Sequence, residues 1–256
     1  AHPSIAEDAP VDPLAASLLK DNNGDGLVTI AAFGDSITRG EGDFVSPSAE
    51  IEDAQIPNSA EASYPFRIET FLGIPVSNWG LPGEALTQGG ESRFLSLIQS
   101  RPDIVIIAEG TNDSRVPATP GQIYRALQKM VNASKALGTQ PVLTSILPVC
   151  CGHAGEQRFI DSYNPQIRVI AAVNEVPLAD AEHAFRNTCD ANDCYLLSRP
   201  EGLHPNVAGY DVMGEAEIAA LLGINLFAPD GPTLYAMALA IDPTQVRTVP
   251  DPVVVP

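Results

Sequence analysis

The run Ile104–Ile107 constrains the fold most, because all four of its positions are apolar. A strand that faces water on one side alternates apolar and polar residues, whereas a strand covered on both sides is apolar throughout. Further short β-rich runs occur along the chain, and amphipathic segments separate them. The candidate strands are Leu27–Phe33, Val76–Asn78, Ile104–Ala108, Val142–Ile146 and Val176–Ala179. This alternation predicts an α/β fold in which helices cover both faces of a parallel sheet.

One helix has recognisable signals at both ends. Thr119 is a candidate N-cap, Pro120 suits the first helical position, and Gln122 completes a capping box. Apolar residues then recur at helical spacing as far as Gly138, which suits a C-cap. The pattern predicts a helix from Pro120 to the residues just before Gly138.

Two further helices are predicted from their first residues. Asn164 followed by Pro165 has the pattern that opens a helix, because Asn caps free N–H groups and Pro needs no hydrogen bond at the first position. Asn206 is a second candidate N-cap, and the helix that it opens is expected to end near Leu222.

The chain is expected to contain one domain with flanking segments. Residues 1–26 form an N-terminal segment, residues 27–222 the domain, and residues 223–256 a Pro-rich tail. Within the domain, Glu41–Glu61 is a long acidic insertion with few apolar anchors, which we expect to be a loop over one end of the sheet.

Composition and charge exclude several classes of function. With 45% hydrophobic and 18% charged residues, the chain is typical of a globular protein. Its formal net charge of −18 argues against binding to nucleic acid, which needs a basic surface, and disfavours adsorption to anionic membranes. The longest apolar runs, Ile218–Phe227 and Leu234–Ile241, are shorter than the roughly 20 residues of a membrane-spanning helix. We therefore expect no nucleic-acid partner and no membrane span.

Four cysteines lie in the C-terminal half, at positions 150, 151, 189 and 194. An even number favours disulfides formed in an oxidising compartment, although four cysteines allow three pairings. Zinc binding is the alternative, but the adjacent Cys150 and Cys151 lack the usual gap between zinc ligands. The cysteines, together with an N-terminus that lacks Met, predict a secreted protein, extracellular or periplasmic.

Four short motifs occupy places where α/β proteins usually bind ligands. Gly34–Ser36, Asn78–Gly83 and Gly110–Asp113 each coincide with or follow the end of a predicted strand, and His204–Asn206 precedes the last helix. The carboxyl ends of parallel strands lie along one edge of the sheet, which is where open α/β sheets bind substrates. The motifs together predict a catalytic site there, although each one alone could be an ordinary turn.

With these motifs, the sequence resembles the SGNH hydrolase family of GDSL-type esterases and lipases over residues 27–222. The resemblance implies a three-layer α/β/α sandwich, flavodoxin-like, with about five parallel strands. It also implies that Ser36 is the nucleophile and that His204 is its general base. The implied oxyanion hole consists of the backbone N–H groups of Ser36 and Gly83 and the side-chain amide of Asn112.

The chemistry of these residue types suits the implied roles. A serine hydroxyl becomes a good nucleophile when an adjacent imidazole takes its proton, and histidine is the side chain that titrates near neutral pH. Uncharged donors, such as the Asn112 amide, stabilise the oxyanion that forms on the attacked carbonyl.

The sequence departs from the family pattern three residues before His204. The family usually has Asp there, whereas this chain has Glu201. A carboxylate at this place would hold the imidazole tautomer, and glutamate also serves as the third triad member in other hydrolases. We expect a triad of Ser36, His204 and Glu201, and the alternative is a Ser-His dyad with a backbone carbonyl orienting the ring.

The other histidines are weaker candidates for the base. Asp180 and His183 repeat the spacing of Glu201 and His204, but His183 lacks the Pro-Asn that follows His204. We expect His183 to be a loop or substrate-side residue, and His2 and His153 to lie on the surface.

Asp21, Asn23 and Asp25 form an Asn/Asp/Gly-rich loop that resembles the first half of an EF-hand or dockerin calcium loop. The residue that should close such a site with a bidentate carboxylate is Ala32, inside a predicted strand. An ordinary turn is the favoured interpretation, and calcium, if bound, would be structural rather than catalytic.

The expected reaction is hydrolysis of a small-molecule or carbohydrate carboxylic ester, through an acyl-enzyme and without a required cofactor or catalytic metal. Short acyl chains are favoured because no long apolar lid segment is evident. An acyltransferase or a polysaccharide deacetylase could use the same residues, and a non-enzymatic binding module is the third alternative. The sequence predicts no oligomeric state.

Overall fold

The structure of the protein is a computed structural model that describes residues 17–42, 63–116, 118–189 and 194–227. Five parallel strands form one sheet in these ranges. They are β1 (Ile30–Gly34), β2 (Val76–Gly80), β3 (Ile104–Ala108), β4 (Gln140–Thr144) and β5 (Leu178–Ala179). The strand order is β2-β1-β3-β4-β5, in which the chain reverses its direction of travel across the sheet between β1 and β3. Ligands bind at such a reversal in open α/β sheets.

Seven α-helices and four 3₁₀ turns connect these strands within the described residues. The helices are α1 (Ser36–Arg39), α2 (Tyr64–Leu72), α3 (Gly90–Leu97), α4 (Pro120–Ala136), α5 (Gln157–Val173), α6 (Ala181–Thr188) and α7 (Val207–Leu222). The 3₁₀ turns are Leu86–Gln88, Ile98–Ser100, Asn112–Ser114 and Cys151–Glu156.

The two faces of the sheet bury two separate apolar clusters. Ile30 and Ala32 of β1 pack on the face that is covered by α2, α6 and α7. Ala31 and Phe33 of the same strand pack on the opposite face, under α3, α4 and α5. Side chains alternate between the faces of a strand, so an apolar run such as Ile104–Ile107 fills both clusters. The predicted three-layer α/β/α sandwich with five parallel strands is confirmed.

β3 has the predicted bounds, whereas the other four strands differ from the predicted bounds by up to three residues at one or both ends. β1 begins at Ile30, because Leu27 is 50% exposed and its N–H is bound by the Asp25 carboxylate. β4 begins at Gln140 and ends at Thr144, two residues earlier than predicted at each end. Apolar character continues past the last ladder hydrogen bond, so hydrophobicity alone misplaces the end of a strand.

The prediction that Asn164-Pro165 opens a helix is wrong. Helix α5 begins at Gln157 and contains Pro165 in its interior. Asn164 does not cap a helix, because its buried amide binds both backbone groups of Ile146, accepting from N–H at 2.8 Å and donating to C=O at 2.9 Å. This long-range pairing with the loop after β4 replaces the local capping bond that the sequence pattern favours.

The other two helix predictions are confirmed. Thr119 and Gln122 form the capping box of α4, and Gly138 follows the helix with φ +80°. The Asn206 side chain caps α7, which ends at Leu222. No helix in the described ranges is both long and apolar enough to cross a bilayer.

Several sequence predictions fall on residues outside the described ranges. These are most of the N-terminal segment with His2, residues 43–62 of the acidic insertion, and the Pro-rich tail beyond residue 227. The division of the chain into a domain and flanking segments stays a prediction.

One of the expected disulfides forms in the structure. Cys189 and Cys194 are bonded to each other. Cys150 and Cys151 are thiols whose sulfur atoms lie 2.7 Å apart.

Glu217 of α7 is a buried carboxyl group that the sequence analysis missed. Its Oε1 accepts a hydrogen bond from the Thr144 hydroxyl at 2.6 Å, and its Oε2 has no hydrogen-bond partner among the described residues. Burial raises the pKa of Glu217 from its ordinary value to about 8, although the Thr144 hydrogen bond lowers it. Glu217 is therefore expected to be protonated at neutral pH.

Replacing Glu217 with Gln tests this protonation. The folded state holds this proton more tightly than the unfolded chain does, so the stabilisation is complete below about pH 4.5 and is lost as the pH rises through about 8. Between pH 4.5 and 9, the free energy of unfolding of the wild type should fall by up to about 5 kcal/mol relative to the Glu217→Gln variant. Urea denaturation of both proteins across this range measures the difference. Two stability curves that run parallel would contradict the buried protonated carboxyl.

Candidate active site

Ser36 lies directly after β1, as the first residue of the short helix α1. Asp35 caps this helix, because its carboxylate accepts the N–H of Ile37 at 2.9 Å. Gly34 cannot be a larger residue, since a Cβ atom there would lie 2.4 Å from the carbonyl oxygen of Ala108. This close approach of β1 and β3 places Ser36 at the carboxyl edge of the sheet, where the strand order reverses.

His204 comes from the loop before α7, yet its Nε2 lies 2.8 Å from the Oγ of Ser36. Its Nδ1 lies 2.7 Å from Oε1 of Glu201. A carboxylate can only accept a hydrogen bond, so Nδ1 of the neutral ring carries the proton and Nε2 accepts from the Ser36 hydroxyl. The three residues expected to form a triad are thus joined by two hydrogen bonds.

Glu201 reaches the ring because its longer side chain folds back over a single turn. The same Oε1 atom accepts the backbone N–H of His204 at 3.1 Å as well as the ring proton. Gly202 follows with φ +73°, a left-handed conformation that favours glycine. The glutamate in place of the family's usual aspartate is therefore compatible with a triad.

A second carboxylate faces the His204 ring, and the sequence analysis did not single it out. Oε2 of Glu41 lies 3.3 Å from Nε2 of His204, the atom that also faces Ser36. The Glu41 backbone is held by the Ser36 carbonyl, which accepts its N–H at 3.0 Å, and by the Tyr210 hydroxyl, which donates to its carbonyl at 2.8 Å. Its position in the sequence, five residues after Ser36 and just beyond α1, could have indicated that it lies near the site.

Two of the implied oxyanion donors line one open cleft of about 380 Å³. Gly83 has φ +74°, so it needs glycine for its backbone conformation, while a Cβ atom there would meet nothing within 4 Å. The Nδ2 of Asn112 donates to the carbonyl of Glu84 at 2.9 Å and lies 3.3 Å from a carboxylate oxygen of Asp35. The contact with Asp35 is the longer and therefore the weaker of the two. The N–H that faces Asp35 is thus the one more readily available to a substrate oxygen.

Asp113 and Arg93 hold the loop that forms this cleft. The Asp113 carboxylate accepts the backbone N–H groups of Leu86 at 2.7 Å and Thr87 at 3.0 Å. Arg93 forms an ion pair with Glu84, with its Nε 2.8 Å from each carboxylate oxygen. The Asp113 carboxylate thus binds backbone N–H groups and the Glu84 carboxylate binds a guanidinium group. Both carboxylates therefore support the loop.

Two more buried carboxyl groups lie close to Ser36. Burial, the largest effect, raises the pKa of Asp35 to about 6, whereas the Ile37 N–H bond and the charge of His204 lower it. Burial also raises the pKa of Glu109 well above its ordinary value, and the charge of Asp35 raises it further. Burial therefore makes Asp35, next to the serine in the chain, a weaker acid than an ordinary aspartate.

The rival pair Asp180 and His183 is not arranged as a base and its carboxylate. The Asp180 carboxylate is bound by Arg168, with Nε at 3.0 Å, and by the Ser145 hydroxyl at 2.9 Å. The exposed His183 ring packs edge-on against the ring of Phe227, with 4.2 Å between centroids. The imidazole hydrogen-bonded to Ser36 is that of His204.

His153 is partly exposed at the surface, and it also makes contacts that the sequence analysis did not predict. Its ring is half-buried, with Nδ1 2.8 Å from the backbone carbonyl oxygen of Glu201 and Nε2 2.6 Å from Nη2 of Arg115. Because the carbonyl oxygen accepts and the guanidinium donates, this ring is neutral with its proton on Nδ1. His153 therefore supports the loop that carries Glu201, through a tertiary contact that has no local sequence signal.

The candidate calcium loop is closed by its own backbone. The Asp21 carboxylate accepts the N–H groups of Gly24 at 2.6 Å and Gly26 at 2.8 Å, and the Asn23 side chain accepts that of Asp25 at 2.9 Å. In the described part of the chain, no three His, Cys, Asp or Glu side chains are grouped as a metal site would need. These bonds fit the favoured interpretation as a turn, and calcium binding stays a prediction.

Comparison with solved structures reveals close agreement in fold. A lipolytic protein of the G-D-S-L family from Desulfitobacterium hafniense is 24% identical, with a TM-score of 0.61, over 76% of this chain and 99% of that chain. An acetylxylan esterase from Geobacillus stearothermophilus is 20% identical, with a TM-score of 0.61, over 76% of this chain and 94% of that one. An α/β hydrolase enzyme from the metagenome of Lake Arreo is 19% identical, with a TM-score of 0.63, over 76% and 94%. At these identities the likeness concerns the fold.

The sequence comparison defines the family. No curated protein matches the chain significantly. The sequence profile of the GDSL-like lipase/acylhydrolase family matches residues 32–212, a range that contains Ser36, Gly83, Asn112, Glu201 and His204. Because the match spans most of the chain and agrees with the fold, this protein belongs to the GDSL-like lipase/acylhydrolase family.

Proposed function

We propose that the protein is a secreted serine esterase that hydrolyses carboxylic esters with short acyl chains. The observation that supports this most is the hydrogen-bonded line from Ser36 through His204 to Glu201. It lies beside a cleft lined by the uncharged donors of Gly83 and Asn112. Membership of a hydrolase family supports the same reaction class.

In the proposed reaction, the Ser36 oxygen attacks the ester carbonyl while its proton passes to Nε2 of His204. The Glu201 carboxylate stabilises the imidazolium that forms, because its negative charge accepts a hydrogen bond from the Nδ1–H group. The tetrahedral oxyanion is bound by the N–H groups of Ser36, Gly83 and the Asn112 side chain. His204 then protonates the leaving alcohol. It next deprotonates a water molecule, and the attack of this water on the acyl group releases the acid from Ser36.

The walls of the cleft favour a short acyl group. Besides Gly83 and Asn112, it is lined by the polar side chains of Gln88 and Arg115 and by a short set of apolar residues, Leu81, Pro82, Ala85 and Val116. The apolar residues can take a short acyl chain, whereas a long alkyl chain would also cover the polar side chains without giving them new hydrogen-bond partners.

Glu41 suggests that the alcohol carries further hydroxyl groups. Its carboxylate faces the His204 nitrogen that must protonate the leaving alcohol, and it can accept a hydrogen bond from a neighbouring hydroxyl. An acetyl ester of a carbohydrate combines a short acyl group with an alcohol that carries further hydroxyl groups. The structural neighbour described as an acetylxylan esterase makes this substrate class a specific candidate.

The test of this function combines a substrate series with a serine label. We expect p-nitrophenyl acetate and butyrate to be hydrolysed with a higher kcat/KM than the octanoate, and acetylated xylo-oligosaccharides to release acetate. A fluorophosphonate probe should label Ser36, as located by peptide mass spectrometry. Acetyl-ester turnover without labelling at Ser36 would contradict the assigned nucleophile, and preferred hydrolysis of octanoate would contradict the acyl preference. Adding glycerol separates hydrolysis from acyl transfer, since a transferase would form glyceryl acetate in place of free acetate.

Asn112 gives a separate test of the oxyanion hole. Replacing it with alanine should lower kcat for p-nitrophenyl acetate by about 10²- to 10³-fold, because one neutral donor to the oxyanion is lost. KM should change little, since the donor binds the transition state more strongly than the ground state. A kcat within threefold of the wild type, with the fold verified by circular dichroism, would remove Asn112 from the oxyanion hole.

The secreted location is supported by the Cys189–Cys194 disulfide, which is typical of proteins from an oxidising compartment. It predicts that the purified extracellular or periplasmic protein contains this bond. Recovery of Cys189 and Cys194 as thiols from that compartment would remove the disulfide as support for secretion.

A further inference from the structure

Cys150 and Cys151 are neighbours in the chain that are also placed to react with each other. Cys150 is buried, Cys151 is exposed, and their sulfur atoms lie 2.7 Å apart. Sulfur atoms in a disulfide are about 2.0 Å apart, so a movement of roughly 0.7 Å would join the two.

The backbone at Cys151 already has an unusual conformation. Adjacent Cα atoms are about 3.8 Å apart, which is shorter than the roughly 4.4–6.8 Å that disulfides usually span. A bond between neighbours therefore needs a distorted backbone, and Cys151 has φ +54°, a left-handed value that a residue with a side chain rarely adopts. Conformations of this kind persist where the surrounding structure holds them.

The surrounding structure in this case is the loop that carries Glu201. The Cys150 N–H donates to the carbonyl of Gly202 at 2.9 Å, and the His153 N–H donates to that of Glu201 at 3.1 Å. A Cβ atom on Gly202 would lie 2.4 Å from the Cys150 carbonyl oxygen and 2.9 Å from its sulfur. The cysteine segment thus forms the support against which the catalytic carboxylate loop packs.

We propose that Cys150 and Cys151 form a disulfide between adjacent residues, and that this bond holds the cysteine segment in the conformation that supports the Glu201 loop. The bond itself is independent of the enzyme's reaction, whereas the positioning role rests on the proposed function. Cys150 and Cys151 are positioning residues here, because neither sulfur has a contact with Ser36 or His204 among the described interactions.

Formation of the bond needs an oxidant, and a small-molecule disulfide such as oxidised glutathione is sufficient. The Cys151 thiolate attacks one sulfur of the oxidant, forms a mixed disulfide and releases one thiol. The Cys150 thiolate then attacks the Cys151 sulfur and releases the second thiol, so the protein loses two protons and two electrons and the oxidant gains them. Burial raises the pKa of the Cys150 thiol to about 11, so the exposed Cys151 is the one that meets the oxidant.

The pairing can be read directly by peptide mapping, independently of any activity. Trypsin cleaves after Lys135 and Arg158, which keeps Cys150 and Cys151 on one peptide, and cleavage after Arg186 puts Cys189 and Cys194 on another. The protein exported to an oxidising compartment is denatured, alkylated without reduction and digested, and the peptide masses are measured by mass spectrometry. We expect the peptide from 136 to 158 to be unalkylated and about 2 Da lighter than its reduced form, because two hydrogens are lost. Two alkyl groups on this peptide, or a cross-link to the other one, would overturn the disulfide.

The positioning role is tested by the response of kcat to a phosphine reductant. Reduction should lower the kcat of the wild type by about 10- to 100-fold with little change in KM, because the cysteine segment is then free to leave the conformation that supports the Glu201 loop, and Glu201 is in place for a smaller fraction of the time. The same treatment should change the kcat of the Glu201→Gln variant by less than about threefold, since that variant has already lost the carboxylate. Equal losses in both proteins would show a general structural effect and overturn the positioning role.

Two double variants assign the response to the correct bond. The C189S/C194S protein, which keeps only the neighbouring pair, should remain sensitive to the reductant, and the C150A/C151S protein should not respond. A loss of activity in C150A/C151S equal to that of the wild type would transfer the effect to Cys189–Cys194 and overturn the proposal. If untreated wild type hydrolyses no ester, the proposed function fails. The peptide map still shows whether Cys150 and Cys151 are bonded to each other.

Discussion

Replacing Ser36 with alanine is expected to lower kcat for p-nitrophenyl acetate by about 10⁵- to 10⁶-fold. The hydroxyl is the atom that forms the acyl-enzyme, and removal of the nucleophile from a serine-histidine-carboxylate unit has effects of this size. The remaining rate would come from the oxyanion donors and from binding alone. The fold should be unchanged, because the substitution removes one oxygen from a side chain whose only described partner is His204.

A matched variant separates loss of the nucleophile from loss of the fold. Ser114 is also buried at the carboxyl edge of the sheet, but its hydroxyl binds the Thr111 carbonyl at 2.7 Å and Glu156 at 2.8 Å, without a described contact to His204. Ser114→Ala should keep kcat within about tenfold of the wild type, and both variants should unfold cooperatively. Ser36→Ala that retains a tenth of the wild-type turnover would refute the serine mechanism.

Replacing Glu201 with glutamine should lower kcat by about 10⁴-fold, if the carboxylate works as the third member of a triad. Glutamine keeps the length of the side chain but removes the negative charge that stabilises the imidazolium. Its amide can also donate to Nδ1, which would favour the ring tautomer with its proton on Nε2 and block acceptance of the Ser36 proton.

Glu41→Gln is the natural comparison, because Glu41 is the other carboxylate beside the same ring. Glu41 contacts Nε2 rather than Nδ1, so it cannot hold the tautomer that Ser36 needs, and its replacement should lower kcat for p-nitrophenyl acetate by less than about tenfold. Measurement of kcat for both variants with one substrate ranks the two carboxylates. A near-normal rate for Glu201→Gln would mean that Ser36 and His204 act as a dyad.

Much of the fold could be predicted from the sequence, because its determinants act over a few residues. The apolar run Ile104–Ile107 indicated a strand buried on both faces, and the capping box of Thr119 and Gln122 placed the start of α4. Parallel strands end at one edge of the sheet, so motifs at the ends of β1, β2 and β3 had to meet there. The family resemblance added the roles of the residues within those motifs.

The tertiary structure decided what depends on distances between remote segments. Ser36 and His204 are 168 positions apart, and only the packing of α7 on the sheet face that it shares with α2 and α6 brings their atoms within 2.8 Å. At Asn164 the local pattern gave a wrong prediction for the same reason. A hydrogen bond to Ile146, which is remote in the sequence, replaced the helix cap that the local pattern favoured.

The sequence by itself therefore determined the sheet and the helices α4 and α7, because periodicity and capping are local. Its resemblance to a known family indicated the candidate catalytic residues. The sequence did not determine whether Glu201 reaches the ring, that Glu41 faces the same nitrogen, or which cysteines approach each other. Hydrogen bonds and covalent bonds form only within a few ångströms, and distances between remote residues are set by the packing of the whole domain.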